Sequence, residues 1–295
     1  MTPDQTLLRL LPAVLRARDF RLYLEGGKRL TDLWRWGGRA VLGHKPPKVL
    51  VELKNSAERG LFAPLPHPLE KRFIKALSSF FPGRTFRLYQ NEGSLRQALL
   101  ETGLIAAMTH LFADPASPSR DSDPSTVSLW RPFLEENESV DSSNNLAGLA
   151  PPPRLCEKSN TTFVPILPWP LGPAVLVLAK NVEDSFPAGE LIPPVLLAPA
   201  ARALYNLAAT QKTFTSNRRG GYSRITKALS TGSLWQRRGI YLTAEGGIDG
   251  EAYGALFRRF LEGGFLLPPS PSEPAMLPLE LSAGEEARLA ELLRG

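Results

Sequence analysis

A run of five apolar residues at positions 174–178 (AVLVL) constrains the fold of this 295-residue chain more than any other feature. The run is short and contains two valines, which is typical of a β-strand that is buried on both faces of a sheet. Segment 193–209 follows it and predicts a helix of small residues. The alanines of that helix permit close backbone approach to its neighbours.

Hydrophobic spacing predicts further elements on either side of this strand. Apolar residues between positions 7 and 15 recur at helical spacing and predict an opening helix, with Pro12 as a kink. Gly26 and Gly27 favour a hairpin turn between two short strands. Those strands cover 20–24 and 30–34; other predicted strands cover 85–89, 163–167, 240–243 and 265–267, and other predicted helices cover 47–59, 68–81, 93–112, 225–238, 251–262 and 285–293.

Residues 113–160 interrupt this order. They are rich in Ser, Asp, Pro and Asn and contain only isolated apolar residues. Such a segment buries too little surface to offset the entropy lost on ordering. We therefore predict a long, mostly mobile linker with a short docked piece at 130–134, and a second, basic and polar loop at 212–223.

Composition excludes several classes of function. The single cysteine, Cys156, cannot form an internal disulfide, and three histidines argue against a multi-histidine metal site. The net charge of +6 attracts anions but does not by itself indicate a function. We expect no membrane span, because no apolar run approaches about 18 residues. Arginines interrupt the apolar N-terminal stretch, unlike in a signal peptide, so we expect a cytoplasmic protein.

Two separated blocks of sequence resemble the class III aminotransferases, and most of all their glutamate-1-semialdehyde aminomutase branch. The first block comprises 23–33 (YLEGGKRLTDL), 37–44 (GGRAVLGH), 46–49 (PPKV), 59–60, 68–70, 81–83 and the turn 91–94 (NEGS). The second block comprises 239–242 (GIYL), 253–264 (YGALFRRFLEGG), 265–270 (FLLPPS) and Glu273. Their shared order and spacing carry the resemblance, which covers about half of the chain.

The resemblance implies an α/β fold, that of a truncated fold type I pyridoxal-phosphate transferase, and a homodimer. Members of the family are longer, and the deficit lies between positions 112 and 193. We expect a reduced large-domain sheet with helices and a small α+β domain built from both chain ends. The expected segments are 1–60 (N-terminal segment and part of the small domain), 61–112 (start of the large domain), 113–160 (flexible linker), 161–230 (remnant of the large domain) and 231–295 (C-terminal α+β domain).

Pyridoxal phosphate needs a Schiff-base lysine, a carboxylate against its pyridine nitrogen, a phosphate cradle and a stacking aromatic ring. Gly93 and Ser94 are candidates for the cradle, because a helix N-terminus offers N–H groups and a hydroxyl to phosphate. Plain helix capping by Ser94 explains the same residues. The sequence favours capping, since Glu92 places a negative charge where the phosphate would lie.

The lysine and the carboxylate are harder to find. No predicted apolar strand ends in the Asp-Glu pair that the family would supply. Lys180 follows a strand, where catalytic groups gather in open α/β sheets, but it lacks flanking glycines and lies close to position 193. The sequence therefore favours a solvated strand-end lysine over a Schiff-base lysine. Lys212, in a polar loop, and Lys227, on a helix surface, are poorer candidates.

The histidines and the remaining basic cluster have structural explanations. His44 is expected to brace a loop, His67 to lie in a surface loop, and His110 to lie near a helix end or an interface. Arg218 and Arg219 lie beside a tyrosine and could contact phosphate or RNA, although a solvated loop explains them as well.

These observations lead to three hypotheses. The first is a degenerate, non-catalytic family member that dimerises or acts as a scaffold, with Trp34, Trp36, Phe62 and Phe73 near an interface. It would be a homo-oligomer, or a hetero-oligomer with an intact paralogue, with no cofactor, no membrane and no nucleic acid as partner. The second is an active pyridoxal-phosphate aminotransferase or aminomutase that uses Lys180 on an amino or keto acid. The third is nucleic-acid binding through the basic N-terminal third.

Overall fold

The computed structural model describes residues 4–101, 127–134, 162–178, 186–216, 222–229, 234–244 and 248–294. Its helices are α1 (Gln5–Leu8), α2 (Val49–Glu58), α3 (Pro68–Ser78), α4 (Glu92–Glu101), α5 (Pro194–Ser216), α6 (Ser223–Leu229), α7 (Gly250–Glu262) and α8 (Ala283–Arg294). Its strands are β1 (Val14–Arg18), β2 (Arg21–Leu24), β3 (Arg29–Asp32), β4 (Thr85–Tyr89), β5 (Val127–Trp130), β6 (Thr162–Pro165), β7 (Ala174–Leu178), β8 (Trp235–Arg238), β9 (Tyr241–Ala244), β10 (Phe265–Leu266) and β11 (Ala275–Met276).

The central sheet has the strand order β4-β7-β6-β5. Every residue of β7 is buried, and successive side chains enter opposite cores because a strand alternates with period two. Val175 and Val177 pack with α3 and α5 on one face. Leu176 and Leu178 pack with α4 on the other. Helices therefore cover both faces of the sheet, which confirms the α/β fold class.

A second unit combines the two ends of the chain. The hairpin β2–β3 forms as predicted, and β10 joins its free edge in parallel, with Phe265 paired to Thr31. The three-stranded sheet β11-β9-β8 lies beside it. One core joins N-terminal residues such as Leu30 to C-terminal residues such as Phe257 and Leu289. Residues more than 200 positions apart thus share one hydrophobic interior.

The predicted opening helix is wrong beyond its first turn. Only α1 forms, and the chain then enters β1, in which Val14 pairs with Leu24 of β2. Pro12 lacks an amide N–H and disfavours helical geometry in the residue before it, so the periodic apolar residues cannot continue as a helix. Leu15 is 72% exposed on β1, which a buried helical stripe would not allow.

Two predictions near the C-terminal half are also corrected. The predicted helix over 225–238 consists of the short α6 and the separate strand β8, whose Trp235 pairs with Ala244. The predicted loop at 212–223 is helical as far as Ser216, because α5 continues through it. Strand β11 was not predicted, since two residues are too short to show a period.

The segment predicted as a linker supplies a strand of the central sheet. Strand β5 pairs in parallel with β6, so that Trp130 lies opposite Pro165. Trp130 is 8% exposed and its ring meets Phe81 edge-on at 5.0 Å. The docked piece at 130–134 is confirmed, but this part of 113–160 belongs to the core rather than to a linker. Composition did not reveal this strand, because buried residues that occur only once every few positions barely change the composition of a segment.

Candidate functional site

Three strands of the central sheet end at the same edge. Both β4 and β6 are antiparallel to β7, and β5 is parallel to β6, so β4, β5 and β6 run in the same direction. Ligands in open α/β sheets bind where such strands end. We call this region, with the residues that directly follow Tyr89, Trp130 and Pro165, the strand-end edge.

Helix α4 begins at this edge and is capped by Asn91. The Ser94 N–H donates to Asn91 Oδ1 at 3.0 Å, and the Leu95 N–H donates to the Asn91 carbonyl at 3.2 Å. The prediction that capping explains the sequence 91–94 is therefore right in kind, but Asn91 is the cap and Ser94 is the residue whose amide is capped. Gly93 is exposed beside them.

The carboxylate of Glu92 is neutralised from another part of the chain. Arg39 Nη2 donates to Glu92 Oε1, which makes an ion pair across 53 residues. The Arg39 side chain is 15% exposed and that of Glu92 is 49% exposed. The negative charge that argued against a phosphate cradle is thus matched by a cation that sequence reasoning did not assign.

An arginine, not a carboxylate, follows β5. Arg131 is 6% exposed, and burial lowers the pKa of its guanidinium. Its Nη1 donates to the Gly37 carbonyl at 3.1 Å, whereas its Nε has no hydrogen-bond partner. The next residue is also held, since the Tyr241 hydroxyl donates to the Pro132 carbonyl at 2.7 Å. The end of β5 is therefore fixed to the unit built from the chain ends.

A left-handed turn lies against the strand-end edge. Arg35, Trp36, Gly37 and Gly38 all have positive φ, of 47°, 50°, 63° and 104°. The two residues with side chains cost about 1–3 kcal/mol each in this conformation. Such strain persists only where the surroundings enforce it, and it often marks a specialised position.

Asp32 and the Arg35 side chain enforce this left-handed turn. Asp32 Oδ1 accepts from the amides of Trp34 at 2.8 Å and Arg35 at 2.9 Å. The buried Arg35 guanidinium donates to the carbonyls of Asp32 and Met276, and burial lowers its pKa to about 10. His44 Nε2 lies 3.0 Å from Asp32 Oδ2, and the His44 N–H donates to the Asp19 carbonyl at 2.7 Å, so His44 contacts this loop through both its ring and its backbone.

The backbone of the left-handed turn closes directly over the strand ends. A methyl group added at Gly38 would lie 3.3 Å from Ile166 Cγ2. It would also lie 3.6 Å from both Arg131 Nη1 and Met276 Sδ. Ile166 follows β6 and Arg131 follows β5, so the turn covers the ends of two neighbouring strands.

One further carboxylate lies close to the left-handed turn. Glu273 Oε2 accepts from Trp34 Nε1 at 2.7 Å. Burial raises the pKa of Glu273, and the hydrogen bond from Trp34 and the charge of Arg131 partly offset this rise. The charge of Glu92 raises it further. Glu273 is thus held against an indole, and the sequence resemblance that includes Glu273 did not predict this position.

Among the described residues, no lysine candidate lies at the strand-end edge. The β6–β7 connection, 166–173, joins two strands of the sheet before the small-residue helix and contains no lysine. Lys180 lies outside the described residues. Its strand ends at Leu178, which pairs with Thr85, whereas Tyr89 at the strand-end edge pairs with Ala174. Lys212 and Lys227 are exposed on α5 and α6.

Pyridoxal phosphate does not fit the described residues at this edge. The residues that follow β4, β5 and β6 are Gln90, Arg131 and Ile166, so no carboxylate directly follows these three strands. The amide of Ser94 is already bound, and the left-handed turn lies on the strand ends. To hold pyridoxal phosphate, this edge would need a carboxylate for the pyridine nitrogen, unoccupied N–H groups for the phosphate and open strand ends.

The other residues singled out in the sequence have varied positions. His67 caps α3, with its Nδ1 accepting from the Leu69 N–H at 3.1 Å, and is not a simple loop residue. Trp36 is 57% exposed and Phe62 is 60% exposed, as an interface requires, but Phe73 is fully buried in the core and cannot contribute to one. His110, Cys156, Arg218 and Arg219 lie outside the described residues.

The described residues contain neither a cluster of metal-ligating side chains nor a helix suited to a membrane. No group of three or more His, Cys, Asp or Glu side chains in this part of the chain is placed to hold a metal ion. None of its helices has the length and apolar character needed to cross a membrane.

Comparison of sequences finds relatives without an assigned function. No family model matches the chain. An uncharacterised protein of Treponema pallidum is 26% identical over 313 residues, which covers 92% of this chain and 91% of that protein. An uncharacterised protein of Borreliella burgdorferi is 38% identical over 78 residues, or 26% of this chain and 29% of that protein.

Comparison of structures shows the fold. An ornithine δ-aminotransferase of Plasmodium falciparum superposes with a TM-score of 0.62 at 12% identity, covering 96% of this chain and 92% of that one. N-acetylornithine aminotransferase of Stenotrophomonas maltophilia gives 0.59 at 15% identity, with 97% and 95% covered. Serine palmitoyltransferase of S. paucimobilis, solved with a pyridoxal phosphate–myriocin aldimine, gives 0.59 at 10% identity, with 98% and 95% covered. The chain therefore has the α/β fold of the fold type I pyridoxal-phosphate transferases.

Proposed function

We propose that this chain is a non-catalytic member of the aminotransferase-like fold that dimerises or acts as a scaffold. The observation that carries the proposal is the strand-end edge, where Arg131 stands at the end of β5 and the left-handed turn covers the strands. A carboxylate and a lysine at this edge would be needed to hold and use pyridoxal phosphate. The direction of β7 at Leu178, away from Gly93 and Ser94, also supports it.

An exposed apolar surface supports the dimerising role. Leu50 and Val51 on α2 are 39% and 56% exposed, and Phe62 and Leu65 just beyond it are 60% and 64% exposed. We call these four residues the α2 apolar surface. We propose that these side chains form one patch, and an exposed apolar patch favours a protein partner over solvent. A second copy of this chain, or an intact paralogue with the same surface, would cover them.

The oligomeric state tests this role. We expect the purified chain to be a dimer by size-exclusion chromatography with light scattering, and Phe62→Asp to shift it towards monomer by placing a charge in the interface. Leu15→Asp is the matched control, because Leu15 is 72% exposed on β1, away from α2 in the sequence, and should leave the dimer intact. A monomeric wild-type chain that also fails to bind a paralogue would contradict the proposal.

Cofactor binding tests the non-catalytic part separately. We expect the purified protein to be colourless and to form no borohydride-reducible adduct when pyridoxal phosphate is added. A reducible adduct that disappears in Lys180→Ala would instead establish the active aminotransferase with Lys180 as its Schiff-base residue.

A further inference from the structure

Strand β1 lies at the edge of the sheet that is built from both chain ends. The strand order of this sheet is β1-β2-β3-β10, so among the described strands β1 pairs with β2 alone. Half of the backbone N–H and C=O groups of an edge strand point away from its neighbour, where they can pair with a further strand. Extended peptides bind proteins in this way, through main-chain hydrogen bonds to the edge of a sheet.

A bulge in β1 turns a leucine towards solvent. Val14 pairs with Leu24 and Arg16 pairs with Tyr23, so two steps along β1 match one step along β2 and Leu15 is the extra residue. Leu15 is 72% exposed, which is the largest value among the large apolar residues that the structure describes. Because bulges re-aim side chains, this leucine is placed to contact a partner rather than the core.

The exposed apolar surface extends along the chain from Leu15. Leu10 is 41% exposed and Val14 is 46% exposed, and residues 12–13 between them are exposed as well. The strand is nevertheless held in place, since Ala17 packs against the core of the same unit. We call residues 9–18 the β1 edge. Apolar side chains that face solvent on a firmly held edge strand favour a partner over water.

The charge of the β1 edge selects the kind of partner. Arg9, Arg16 and Arg18 lie along it, and residues 9–18 include no acidic residue. Arg18 is partly offset by Asp19, whose carboxylate lies 3.5 Å from Arg18 Nε. Within the part of the chain that the structure describes, Arg9 and Arg16 have no carboxylate at ion-pair distance. The β1 edge therefore favours a partner that brings negative charge.

The same features disfavour two other occupants. A second copy of β1 would bring the same arginines and no carboxylate, and like charges on paired strands are destabilising. A nucleic acid would use the arginines, but it would leave Leu15 and the backbone groups of the edge unmatched. The Tyr23 ring is also not open to a base, because the Arg16 guanidinium lies over it at 4.2 Å from the ring centroid.

We propose that the β1 edge binds an extended acidic peptide of a partner protein as a further strand of this sheet. The main chain of the peptide pairs with β1, an apolar side chain lies against Leu15, and carboxylates lie near Arg9 and Arg16. This inference goes beyond the proposed function, because it uses residues other than the α2 apolar surface and does not depend on whether the chain dimerises.

A labelled peptide of alternating glutamate and valine tests the inference by fluorescence anisotropy with the whole chain. We expect saturable binding that weakens at least about tenfold in Leu15→Asp and in Arg16→Glu, because each variant places a carboxylate against the acidic peptide. The amide resonances of residues 14–18 should shift in the same titration. A peptide with proline in place of each valine keeps the charge but lacks those ladder donors, and should bind at least about tenfold more weakly.

Two control variants separate this result from a general charge effect. Leu171→Asp changes a 52% exposed leucine in the β6–β7 connection, and Arg96→Glu reverses an exposed charge on α4. Both should bind the glutamate–valine peptide as wild type does. Equal binding of the two peptides, or of wild type and Leu15→Asp, would overturn the inference. Absence of binding at about 1 mM peptide would do the same.

The remaining outcomes identify a different occupant or a different failure. Tighter binding of oligo-dT than of the glutamate–valine peptide would overturn the inference in favour of a nucleic acid, and loss of self-association in Leu15→Asp would overturn it in favour of a second copy. Phe62→Asp should keep peptide binding. A monomeric wild-type chain that binds the peptide would contradict the dimerising role and support this inference.

Discussion

Glu285, near the carboxyl terminus, accepts two hydrogen bonds from the guanidinium of Arg21, at 2.9 Å and 2.6 Å, across 264 residues of sequence. Arg21 lies on β2 and Glu285 in the first turn of α8, where its carboxylate also accepts from the amide and hydroxyl of Ser282. Ser282 Oγ in turn accepts from the Glu285 N–H at 3.3 Å, which completes a capping box. One buried carboxylate thus begins a helix and joins both ends of the chain.

This arrangement predicts that Glu285→Gln destabilises the protein by about 3 kcal/mol, since breaking a buried pair leaves Arg21 without its partner. The free energy of unfolding, measured with urea, checks this value. Glu291→Gln is the matched control on the exposed side of the same helix and should change stability by less than about 0.5 kcal/mol.

The same carboxylate predicts a loss of stability in acid. Burial opposes ionisation of Glu285, but the hydrogen bonds from Arg21 and Ser282 outweigh it and lower the pKa from 4.5 to about 2. The unfolded state therefore binds a proton first, so the stability that Glu285 gives near neutral pH falls as pH drops from about 5 towards 2. Urea midpoints between pH 7 and pH 3 should fall more steeply in wild type than in Glu285→Gln. Parallel curves would contradict this assignment.

Strand β5 is expected to be part of the folding core. Trp130→Ala should destabilise the protein by about 3–5 kcal/mol, because it removes a ring packed against Phe80 and Phe81. Trp36→Ala is the control of the same chemistry at a 57% exposed site and should cost less than about 1 kcal/mol. Equal losses of stability for the two variants in thermal unfolding would contradict this prediction and indicate that the segment is a linker.

The left-handed turn is expected to be intolerant of a side chain at Gly38. Gly38→Ala places a methyl group 3.3 Å from Ile166 Cγ2 at a φ of 104°, so we expect a loss of about 2–3 kcal/mol. Gly60→Ala is the matched control, with φ of 69° and open space around the added methyl, and should cost about 1 kcal/mol. The difference between the two variants in chemical denaturation measures the crowding at the strand-end edge.

The Tyr241 hydroxyl is expected to hold the end of β5 in place. Tyr241→Phe leaves the buried Pro132 carbonyl without this donor and should cost about 1–2 kcal/mol. Amide exchange at Phe133 and Leu134 should then become faster. Tyr23→Phe, at a half-buried ring stacked with Arg16, is the control and should change neither quantity.

Local signals in the sequence were sufficient for the elements with a strong pattern. Strand β7, the hairpin β2–β3, strand β4 and helix α3 follow from apolar runs, turn glycines and the predicted stop at 82–83, and these elements are confirmed. Helix α3 ends at Ser78, three residues before the predicted end. The α/β fold also followed from the sequence, because separated motifs kept the order and spacing of a known architecture.

Elements whose identity depends on a partner could not be predicted in this way. Strand β1 lies in a helical pattern but pairs with β2, and β8 lies in a helical pattern but pairs with β9. Strand β5 has the composition of a linker and is held by β6, Phe81 and Tyr241, which come from elsewhere in the chain. Pairing between distant segments overrides a weak local preference.

For the candidate site, the sequence by itself identified the turn 91–94 and Glu273. It also showed that suitable lysines and carboxylates are scarce. Only the tertiary structure decided that Arg39 meets Glu92, that Arg131 ends a strand of the central sheet, and that Gly37 and Gly38 lie on the strand ends. The reason is physical, because charge pairing and close backbone contact depend on distances in space, and separation along the chain carries almost no information about those distances.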